Sequence, residues 1–470
     1  MSYTDPQFLL LFFPLLLAVY WLFRKQTMIQ NAVLLAGSLV FYASFSKRNV
    51  LVLLAGILIS YWGGILIHKD RKYTAPAVVL NLLPLLFFKY GKNWIGMWYL
   101  LMPLGISFYS LQSTSYLIDI SRGKIEPERS PIHYALYVSF FPVIVSGPIQ
   151  KSYQFLPEIK ERKSLSYEDA LSAVLMFLYG VFLKLVIADR IALFTSPIFE
   201  YYYGYEGAVV LVCGLLYSVE IYADFFGYTC MVSGIAGLLG YSLRENFHQP
   251  YLAVSIRDFW KRWHMSLTSW LTEYVYFPLG GNRRGTRRKY INILIIFLVS
   301  AVWHGNGMQF VIWGLIHGIS RILEEASEPW RESLKMQLGI DSSSAGWKAM
   351  QRIAVFLLVS IAWVFFRSPD AEHALGFLYQ ITKDFSLHVF FDGTLYQLSL
   401  DAGHFRLLLA AVGVMVLVSV CREKGARASD VILQPLPVRW TLILALLFVI
   451  LIAGVYGPGY DASNFIYATF

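Results

Sequence analysis

The residue with the clearest capacity for chemistry is His304, which lies inside the apolar stretch 291–319. At about 1.5 Å per residue in a helix, the imidazole stands roughly 20 Å from the start of that stretch, well inside a bilayer. Ionisable side chains are costly at that depth and are functional candidates by default. A neutral imidazole can take a proton from a hydroxyl whose oxygen attacks a carbonyl, so His304 is a candidate general base. A structural histidine that hydrogen-bonds between helices is an equally weighted alternative.

Two further histidines carry weaker signals. His317 follows His304 by 13 residues, a separation that does not put both on one helical face. The two would meet only if the glycines at 305 and 307 kink the chain or turn it back. His264 borders the apolar face of a predicted interfacial helix, where contact with lipid headgroups or with a loop is the simpler interpretation.

Other classes of active site find no support in the sequence. There is no Gly-x-Ser-x-Gly elbow, no Walker loop, no dinucleotide fingerprint and no cluster with metal-ligand spacing. The three cysteines, Cys213, Cys230 and Cys421, are widely separated. We therefore expect neither covalent catalysis by serine or cysteine nor a metal centre.

The elements that hold these residues must be membrane helices. Of the 470 residues, 57% are hydrophobic and 15% are charged, against roughly 25% charged in soluble domains. The net charge of +9 comes from short basic clusters between apolar runs, which mark cytoplasmic loops and not a nucleic-acid surface. We expect an all-α polytopic membrane protein with apolar stretches at 8–23, 28–45, 50–67, 75–88, 94–118, 132–149, 170–188, 208–241, 291–319, 353–366, 405–420 and 440–456.

Three segments depart from a simple membrane span. Residues 132–149 have basic flanks on both sides and contain two prolines, so we expect a hairpin that dips into the membrane and returns. Residues 255–271 carry tryptophans on one helical face and basic side chains on the other, which is typical of one helix at the interface. The polar stretch 324–347 is predicted to be a solvent-exposed loop.

Several motifs together resemble the membrane-bound O-acyltransferases of the alginate O-acetyltransferase type. They follow one another along nearly the whole chain, and the densest is Phe-Trp-Lys-Arg-Trp-His-Met-Ser-Leu at 259–267. One departure is Phe226, where the family pattern has a small polar residue. The matching segments are 104–108, 116–119, 140–149, 222–228, 245–247, 259–267, 278–283, 303–305 and 313–317.

The resemblance implies a fold and a set of site residues. The fold would be a single domain over 1–470, a ring of about 11–12 tilted transmembrane helices with re-entrant and interfacial helices around a central funnel. His304 matches the key histidine of the family, and His317 becomes a secondary catalytic candidate. The neighbouring motif residues would bind substrate, namely Trp303, Asn306, His264, Trp263 and Arg262.

The resemblance also implies a reaction, the transfer of an acyl group, in the first place acetyl. The donor would be cytoplasmic acetyl-CoA or an acylated carrier protein, and no cofactor would be bound permanently. The acyl group would cross the bacterial cytoplasmic membrane to an SGNH-type, esterase-like partner that modifies a polysaccharide or cell-wall polymer. D-alanyl transfer to teichoic acid is the alternative within the enzyme class.

Two alternatives lie outside the enzyme class. A transporter or export component would require paired repeats or several intramembrane charges, and the sequence indicates neither. A scaffold that only docks an extracellular transferase would leave His304 replaceable.

The tail 464–470 is a separate candidate. Residues 457–470 contain no Lys or Arg, and the basic loop 422–439 precedes the last span, so we expect the C-terminus outside the cell. The sequence Phe-Ile-Tyr-Ala-Thr-Phe resembles the Phe-x-Tyr-x-x-Phe tail of a small membrane peptide in teichoic-acid D-alanylation. That resemblance implies that the Tyr467 hydroxyl carries the acyl group. An aromatic anchor at the membrane surface is the equally weighted alternative.

Overall fold

All regular secondary structure in the described part of the chain is helical. The computed structural model describes residues 1–91, 96, 97, 101–456 and 466, and these ranges contain no strand. The predicted all-α class is confirmed. The α-helices are α1 Phe13–Leu22, α2 Thr27–Ala43, α3 Lys47–Lys69, α4 Thr74–Leu86, α5 Ile106–Ser121, α6 Pro131–Ser139, α7 Phe141–Ile144, α8 Ser152–Lys160, α9 Tyr167–Val181, α10 Asp189–Glu200, α11 Gly207–Leu238, α12 Ile256–Arg262, α13 Met265–Leu271, α14 Gly285–His304, α15 Met308–Ala326, α16 Glu328–Gln337, α17 Ala345–Arg367, α18 Ala371–Lys383, α19 Ala402–Glu423, α20 Ala428–Ile432 and α21 Leu436–Ala453.

Short segments of other helical types extend or link these helices. Several lie directly against an α-helix, so that Tyr167–Glu200 forms one long helical run through a π-helical centre. The π-helical segments are Phe8–Phe12, Phe87–Gly91, Phe182–Ala188 and Thr272–Tyr276, and the 3-10 turns are Arg71–Tyr73, Tyr202–Gly204, Pro250–Leu252, Leu387–Phe390 and Thr394–Tyr396.

Seven helical runs in the described ranges are long and apolar enough to cross a membrane. Two shorter apolar helices, Phe8–Leu22 and Thr27–Ala43, lie at the start of the chain. The predicted polytopic membrane architecture is therefore confirmed. The seven runs are Lys47–Lys69, Arg71–Gly91, Tyr167–Glu200, Gly207–Leu238, Ala345–Arg367, Ala402–Glu423 and Leu436–Ala453.

Helix α11 forms the centre of the core. It is buried over most of its 32 residues and packs most extensively against α9. A Cβ at Gly180 of α9 would lie 2.5 Å from the Gly227 carbonyl oxygen, so the two backbones meet at a glycine contact. Small residues at such contacts let membrane helices approach closely.

The segment predicted to be interrupted is broken as expected. Helix α6 ends at Ser139 and α7 covers only four residues, after which the chain is not helical until Ser152. Every residue from 136 to 150 is buried. Backbone without helical hydrogen bonds is tolerated within a membrane only where protein or water shields it, and here protein does so. That the segment enters and leaves on one side of the membrane stays a prediction.

Two sequence-based expectations about elements are wrong. The stretch 324–347 is not one loop, because α15 continues to Ala326 and the exposed α16 follows it. Residues 255–271 form two helices instead of one, because the chain breaks between Arg262 and Met265. At that break His264 has φ +43°, a left-handed conformation that residue pattern alone does not reveal.

Candidate active site

His304 is positioned by a helical hairpin. It is the last residue of α14, and α15 begins at Met308 after a turn of three residues. At the open end of the hairpin, Lys289 near the start of α14 pairs with Glu325 near the end of α15, so the two helices are antiparallel. The 20 residues of α14 correspond to about 30 Å of helix. The hairpin thus places the His304 imidazole, which is buried, at the end of α14 that lies farthest from the charged pair.

A glycine on α15 lets the two arms pack closely. A Cβ at Gly314 would lie 2.8 Å from the Phe297 carbonyl oxygen and 3.0 Å from the Ala301 Cβ. Real Cβ atoms are not found at 2.8 Å from backbone, so only glycine allows this approach. Gly314 directly follows Trp313 in the sequence. The close contact of Gly314 with α14 therefore places Trp313 beside the end of that helix.

Three aromatic rings contact the His304 imidazole edge-on. The ring centroids of Trp303, Trp313 and Phe366 lie 4.7, 5.2 and 5.1 Å from it, at interplanar angles of 74°, 81° and 75°. His304 is 3% exposed. Edge-to-face contacts of this kind favour one ring orientation, so the surroundings fix how the imidazole points.

The turn after His304 also brings His317 into the same cluster. Trp313 contacts both rings, with centroid distances of 5.2 Å to His304 and 5.2 Å to His317. The Trp260 indole donates a hydrogen bond to His317 Nδ1 at 3.3 Å. His317 is fully buried. The chain therefore reverses direction at residues 305–307, as it must for the two histidines to come near each other. The Trp313 ring lies between them and contacts both.

His264 packs near Trp303 and two phenylalanine rings. Its ring is 4.8 Å from Phe225, 6.2 Å from Phe108 and 6.2 Å from Trp303. Only 1% of the residue is exposed. The expectation that His264 contacts lipid headgroups is wrong, because the break between α12 and α13 turns its side chain into the core.

Trp303 connects this cluster to the motif at 104–108. Its indole donates to the Ser107 carbonyl at 3.3 Å, and its ring meets Phe108 at 5.3 Å. Gly105 precedes α5 with φ +72°, and a Cβ there would be 1.9 Å from the Ile144 carbonyl oxygen. The motif glycine therefore allows α5 to begin against the broken segment after α7, and α5 in turn supports Trp303.

The other three predicted substrate-binding residues occupy different surroundings. Trp263 is buried and packs 4.8 Å from the Trp363 ring, within the aromatic core. Arg262 forms hydrogen-bonded ion pairs with Glu423 at 2.7 Å and Asp258 at 2.8 Å, and these bonds raise the pKa of its guanidinium. Asn306 is exposed at the hairpin turn. The structure brings Trp303 and His264 to His304 and leaves Arg262 in an ion-pair network.

Sequence reasoning missed Lys89 and Tyr90, which bind the end of the helix that carries His304. The Lys89 ammonium donates to the Trp303 carbonyl, and the Tyr90 hydroxyl donates to the Val302 carbonyl. Carbonyls in the last turn of a helix lack partners within the helix, and a cation there also complements the helix dipole. The available signal was a lysine directly after an apolar run, at Phe-Phe-Lys-Tyr.

Buried charges within the candidate spans were also missed. Lys184 Nζ lies 2.8 Å from Asp224 and 2.8 Å from Asp189, and Glu220 accepts a hydrogen bond from Thr195 at 2.5 Å. Lys184 and Asp224 are 5% and 2% exposed. The expectation that the sequence lacks several intramembrane charges is therefore wrong. Lys184, Asp224 and Glu220 each lie inside one of two long apolar runs, and each has a partner on the other run.

The tail carrying Tyr467 is described at one residue only. The main-chain N–H of Ile466 donates to Asp224 Oδ2 at 2.9 Å, and Ile466 packs against the core. Tyr467 and the rest of the tail 464–470 lie outside the described residues.

A cavity of about 560 Å³ lies near the site, where one aromatic residue separates it from His317. Its lining includes Trp260, the indole of which donates to His317. The Arg244 guanidinium reaches Ser269 with one nitrogen, at 3.2 Å, while its buried Nη1 has no hydrogen-bond partner among the described residues. The cavity is mixed in charge, with Lys151, Arg244 and Lys261 against Glu245 and Glu273.

No group of three or more His, Cys, Asp or Glu within the described ranges could hold a metal ion. Cys213 and Cys230 are buried singly, and Cys421 is exposed. Near the hairpin tip, the structure brings together the His304 imidazole, two tryptophan indoles and the Lys89 ammonium.

Comparison with known proteins covers the same region. A model of the membrane-bound O-acyltransferase family matches residues 87–366. That range begins just before Lys89 and ends at Phe366, whose ring contacts His304.

Three relatives illustrate the similarity. A Pseudomonas fluorescens protein named "Probable alginate O-acetylase AlgI" is 32% identical over 81% of this chain and 75% of its own length. The Helicobacter pylori peptidoglycan O-acetyltransferase is 31% identical over 80% of this chain and 79% of its own length. The Bacillus subtilis teichoic acid D-alanyltransferase is 29% identical over 49% of this chain and 61% of its own length.

Proposed function

The chain belongs to the membrane-bound O-acyltransferase family and is an acyltransferase, and from this premise we propose that it transfers an acetyl group from a cytoplasmic thioester for O-acetylation of an extracellular polysaccharide or cell-wall polymer. The observation that carries the proposal is the buried imidazole of His304, held at a hairpin tip by three aromatic rings. Its position in the family-matched range supports a shared reaction.

The proposed step is attack of a hydroxyl on the thioester carbonyl. His304 takes the hydroxyl proton as the C–O bond forms, and the C–S bond then breaks. The proton passes from the imidazolium to the departing thiolate, so the histidine ends neutral. His317, in contact with the same Trp313 ring, is the secondary candidate in this step.

The donor is proposed to approach through the cavity beside Trp260. Its basic side chains, among them Arg244 with a buried nitrogen that has no partner in the described ranges, suit a phosphate-bearing thioester. Acetyl-CoA and an acetylated carrier protein share this chemistry. We propose that an SGNH-type partner protein receives the acyl group on the outer side of the membrane.

Acetyl transfer is favoured over D-alanyl transfer by the extent of similarity. The two named O-acetylating relatives align with about four fifths of this chain, whereas the D-alanyltransferase of Bacillus subtilis aligns with 49% of it. D-alanyl transfer therefore stays the second candidate.

The direct test is acyl transfer by the full chain in proteoliposomes, with radiolabelled acetyl-CoA and acetylated carrier protein as separate donors. We expect His304→Ala to lower transfer by about 10²–10⁴-fold, because a general base contributes that much. His404→Ala, which removes an exposed histidine paired with Asp401, is the matched control and should retain full activity. Wild-type transfer by His304→Ala in a folded protein would refute the proposal.

The tail hydroxyl is proposed to be the first acceptor. Tyr467→Phe keeps the ring and removes the hydroxyl, so we expect loss of transfer to the polymer. Tyr456→Phe is the control, since the Tyr456 hydroxyl donates locally to the Ile450 carbonyl at 2.9 Å. Full activity of Tyr467→Phe would favour the aromatic-anchor interpretation.

A further inference from the structure

The buried Lys184–Asp224 ion pair lies between two candidate membrane spans. Asp224 stands on α11, and Lys184 belongs to the π-helical segment Phe182–Ala188 that links α9 to α10. A charge pair at this depth is costly unless its atoms are fully bonded. Such pairs, like π-helical segments within longer helices, often mark functional positions.

The two oxygens of Asp224 have different partners. Oδ1 lies 2.8 Å from the Lys184 ammonium, and Oδ2 accepts the main-chain N–H of Ile466 at 2.9 Å. The ion pair therefore joins two spans and, at the same time, holds a residue 242 positions further along the chain.

Two other hydrogen bonds hold the end of α21 and Val455 against the π-helical segment and the start of α10. The Val455 N–H donates to the Leu185 carbonyl at 3.1 Å, directly beside Lys184. The Arg190 guanidinium donates to the Ala453 carbonyl at 2.5 Å. Val455 and Ile466 thus contact the π-helical segment and Asp224 through main-chain N–H groups, so these two contacts do not depend on the types of their side chains.

We propose that Asp224, charge-balanced by Lys184, is a docking site for the main chain of the C-terminal segment and positions that segment beside the histidine site. The next residue, Phe225, has its ring 4.8 Å from the His264 ring, and His264 in turn meets Trp303. Asp224 is therefore directly adjacent in sequence to Phe225, a residue that contacts the candidate active site. The link to catalysis rests on the proposed function, whereas the docking itself does not.

Asp224→Asn tests the docking with little change in volume. Lys184 keeps Asp189 at 2.8 Å, so the variant does not leave a bare buried cation. Asparagine has one acceptor oxygen where aspartate has two. Its side-chain NH₂ group therefore faces the donor of either Lys184 or Ile466, and that hydrogen bond is lost. Glu220→Gln is the matched control, because Glu220 is one helical turn earlier, is buried, and bonds to Thr195 instead of the tail.

The measurement is hydrogen–deuterium exchange of C-terminal peptides in the full chain in nanodiscs, without any acyl donor. We expect Asp224→Asn to raise exchange of these amides by at least about tenfold, with α11 protected as in the wild type. Glu220→Gln should leave the tail unchanged. Equal tail exchange in Asp224→Asn and wild type would overturn the proposal.

A second pair of variants leaves Asp224 intact. Ile466→Pro removes the donated N–H, whereas Ile466→Ala keeps it and removes most of the apolar side chain. We expect release of the tail in the proline variant only, and equal release in both would overturn docking through the amide. The two proposals can fail separately. If His304→Ala is inactive but Asp224→Asn leaves tail exchange unchanged, only the docking proposal fails. If His304→Ala is active but Asp224→Asn raises tail exchange, only the proposed function fails.

Discussion

The His304 imidazole is oriented by groups that come from four parts of the chain. Trp303 and Trp313 flank it from the two arms of the hairpin, and Phe366 reaches it from the end of α17. Lys89 holds the carbonyl of Trp303 from the π-helical segment after α4. A general base must point its nitrogen at the acceptor hydroxyl, so residues that fix the ring matter as much as the ring itself.

Lys89→Met should reduce the rate constant for acyl transfer and leave the donor KM nearly unchanged. The last turn of α14 loses the ammonium that binds the Trp303 carbonyl, and His304 shifts with it. A misplacement of about 1 Å can cost roughly 10²-fold in rate. Steady-state kinetics in proteoliposomes measure the split between kcat and KM.

Two companion variants separate positioning from general loss of charge. Lys89→Arg restores a cationic donor and should recover most of the rate, while Lys69→Met removes an exposed lysine at the end of α3 and should have no effect. Equal kcat for Lys89→Met and the wild type would show that the helix end needs no such support.

Glu273 should make stability depend on acid pH. Burial raises the pKa of its carboxyl, but ion pairs with Lys124 and Lys151 outweigh burial and hold that pKa below the ordinary value of 4.5. A carboxyl with a lowered pKa stabilises the fold fully above 4.5 and loses that contribution as the pH falls through the lowered value. We expect the difference in melting temperature between wild type and Glu273→Gln to be largest near neutral pH.

The same comparison below pH 4 should show the two proteins converging. Thermal unfolding in detergent at several pH values measures this. A melting-temperature difference that is independent of pH would mean that Glu273 acts through packing and not through its charge.

The residue types in the sequence predicted some members of this site but not how they are arranged in space. His304 stood out because an imidazole deep in an apolar run is costly, whereas His317 became a candidate only through the family resemblance. Lys89 did not stand out, because a lysine after an apolar run also fits a loop at the membrane surface. The burial of His264 depends on a left-handed backbone at one residue, which no periodic pattern encodes.

The hairpin of α14 and α15 depends on contact between backbones. Gly314→Ala should lower stability, because its Cβ would stand 2.8 Å from the Phe297 carbonyl oxygen and force the arms apart. Overpacking of this kind typically costs about 1–3 kcal/mol. Trp313 would shift as well, so we expect acyl transfer to fall together with the unfolding midpoint.

Gly413→Ala is the control for the hairpin variant. Gly413 lies within α19, and a Cβ there would meet nothing within 4 Å. Alanine is favoured over glycine within a helix by about 1 kcal/mol, so this variant should be as stable as the wild type or more so. Similar losses in both variants would refute the close-contact explanation.

Helices formed by uninterrupted apolar runs could be predicted from the sequence. Breaks within helices could be predicted only where proline or glycine marks them. The runs at 50–67 and 353–366 appear as Lys47–Lys69 and Ala345–Arg367, lengthened by polar flanks. The break after Ser139 was marked by prolines. The helix Glu328–Gln337 was missed, because an exposed helix has no apolar face to distinguish it from a polar loop.

The membrane class of the molecule followed from composition, since 57% hydrophobic residues exceed what a soluble core requires. Composition could not show how the spans surround the site, because contacts between α9 and α11 join residues far apart in the chain. The buried charges at 184, 220 and 224 were missed for the same reason. Each pairs with a partner on another helical run.

The basic clusters predict which ends of the spans face the cytoplasm. Thr286→Cys and Asp430→Cys, both at exposed positions in basic segments, should react with an impermeant maleimide only after the membrane is opened. Gln397→Cys, exposed between α18 and α19, should react in intact cells. Cys421 is replaced by serine in all three because it is exposed. Labelling of position 286 in intact cells would reverse the orientation.

The contact between Asp224 and Ile466 has a consequence for biogenesis. Lys184 precedes Asp224 by 40 residues, so the carboxylate finds its countercharge as soon as α11 enters the bilayer. The amide that takes its second oxygen is translated 242 residues later. The bond between Asp224 and Ile466 therefore joins a helix inserted early to an amide made much later, so this contact forms only after the later segment has been translated.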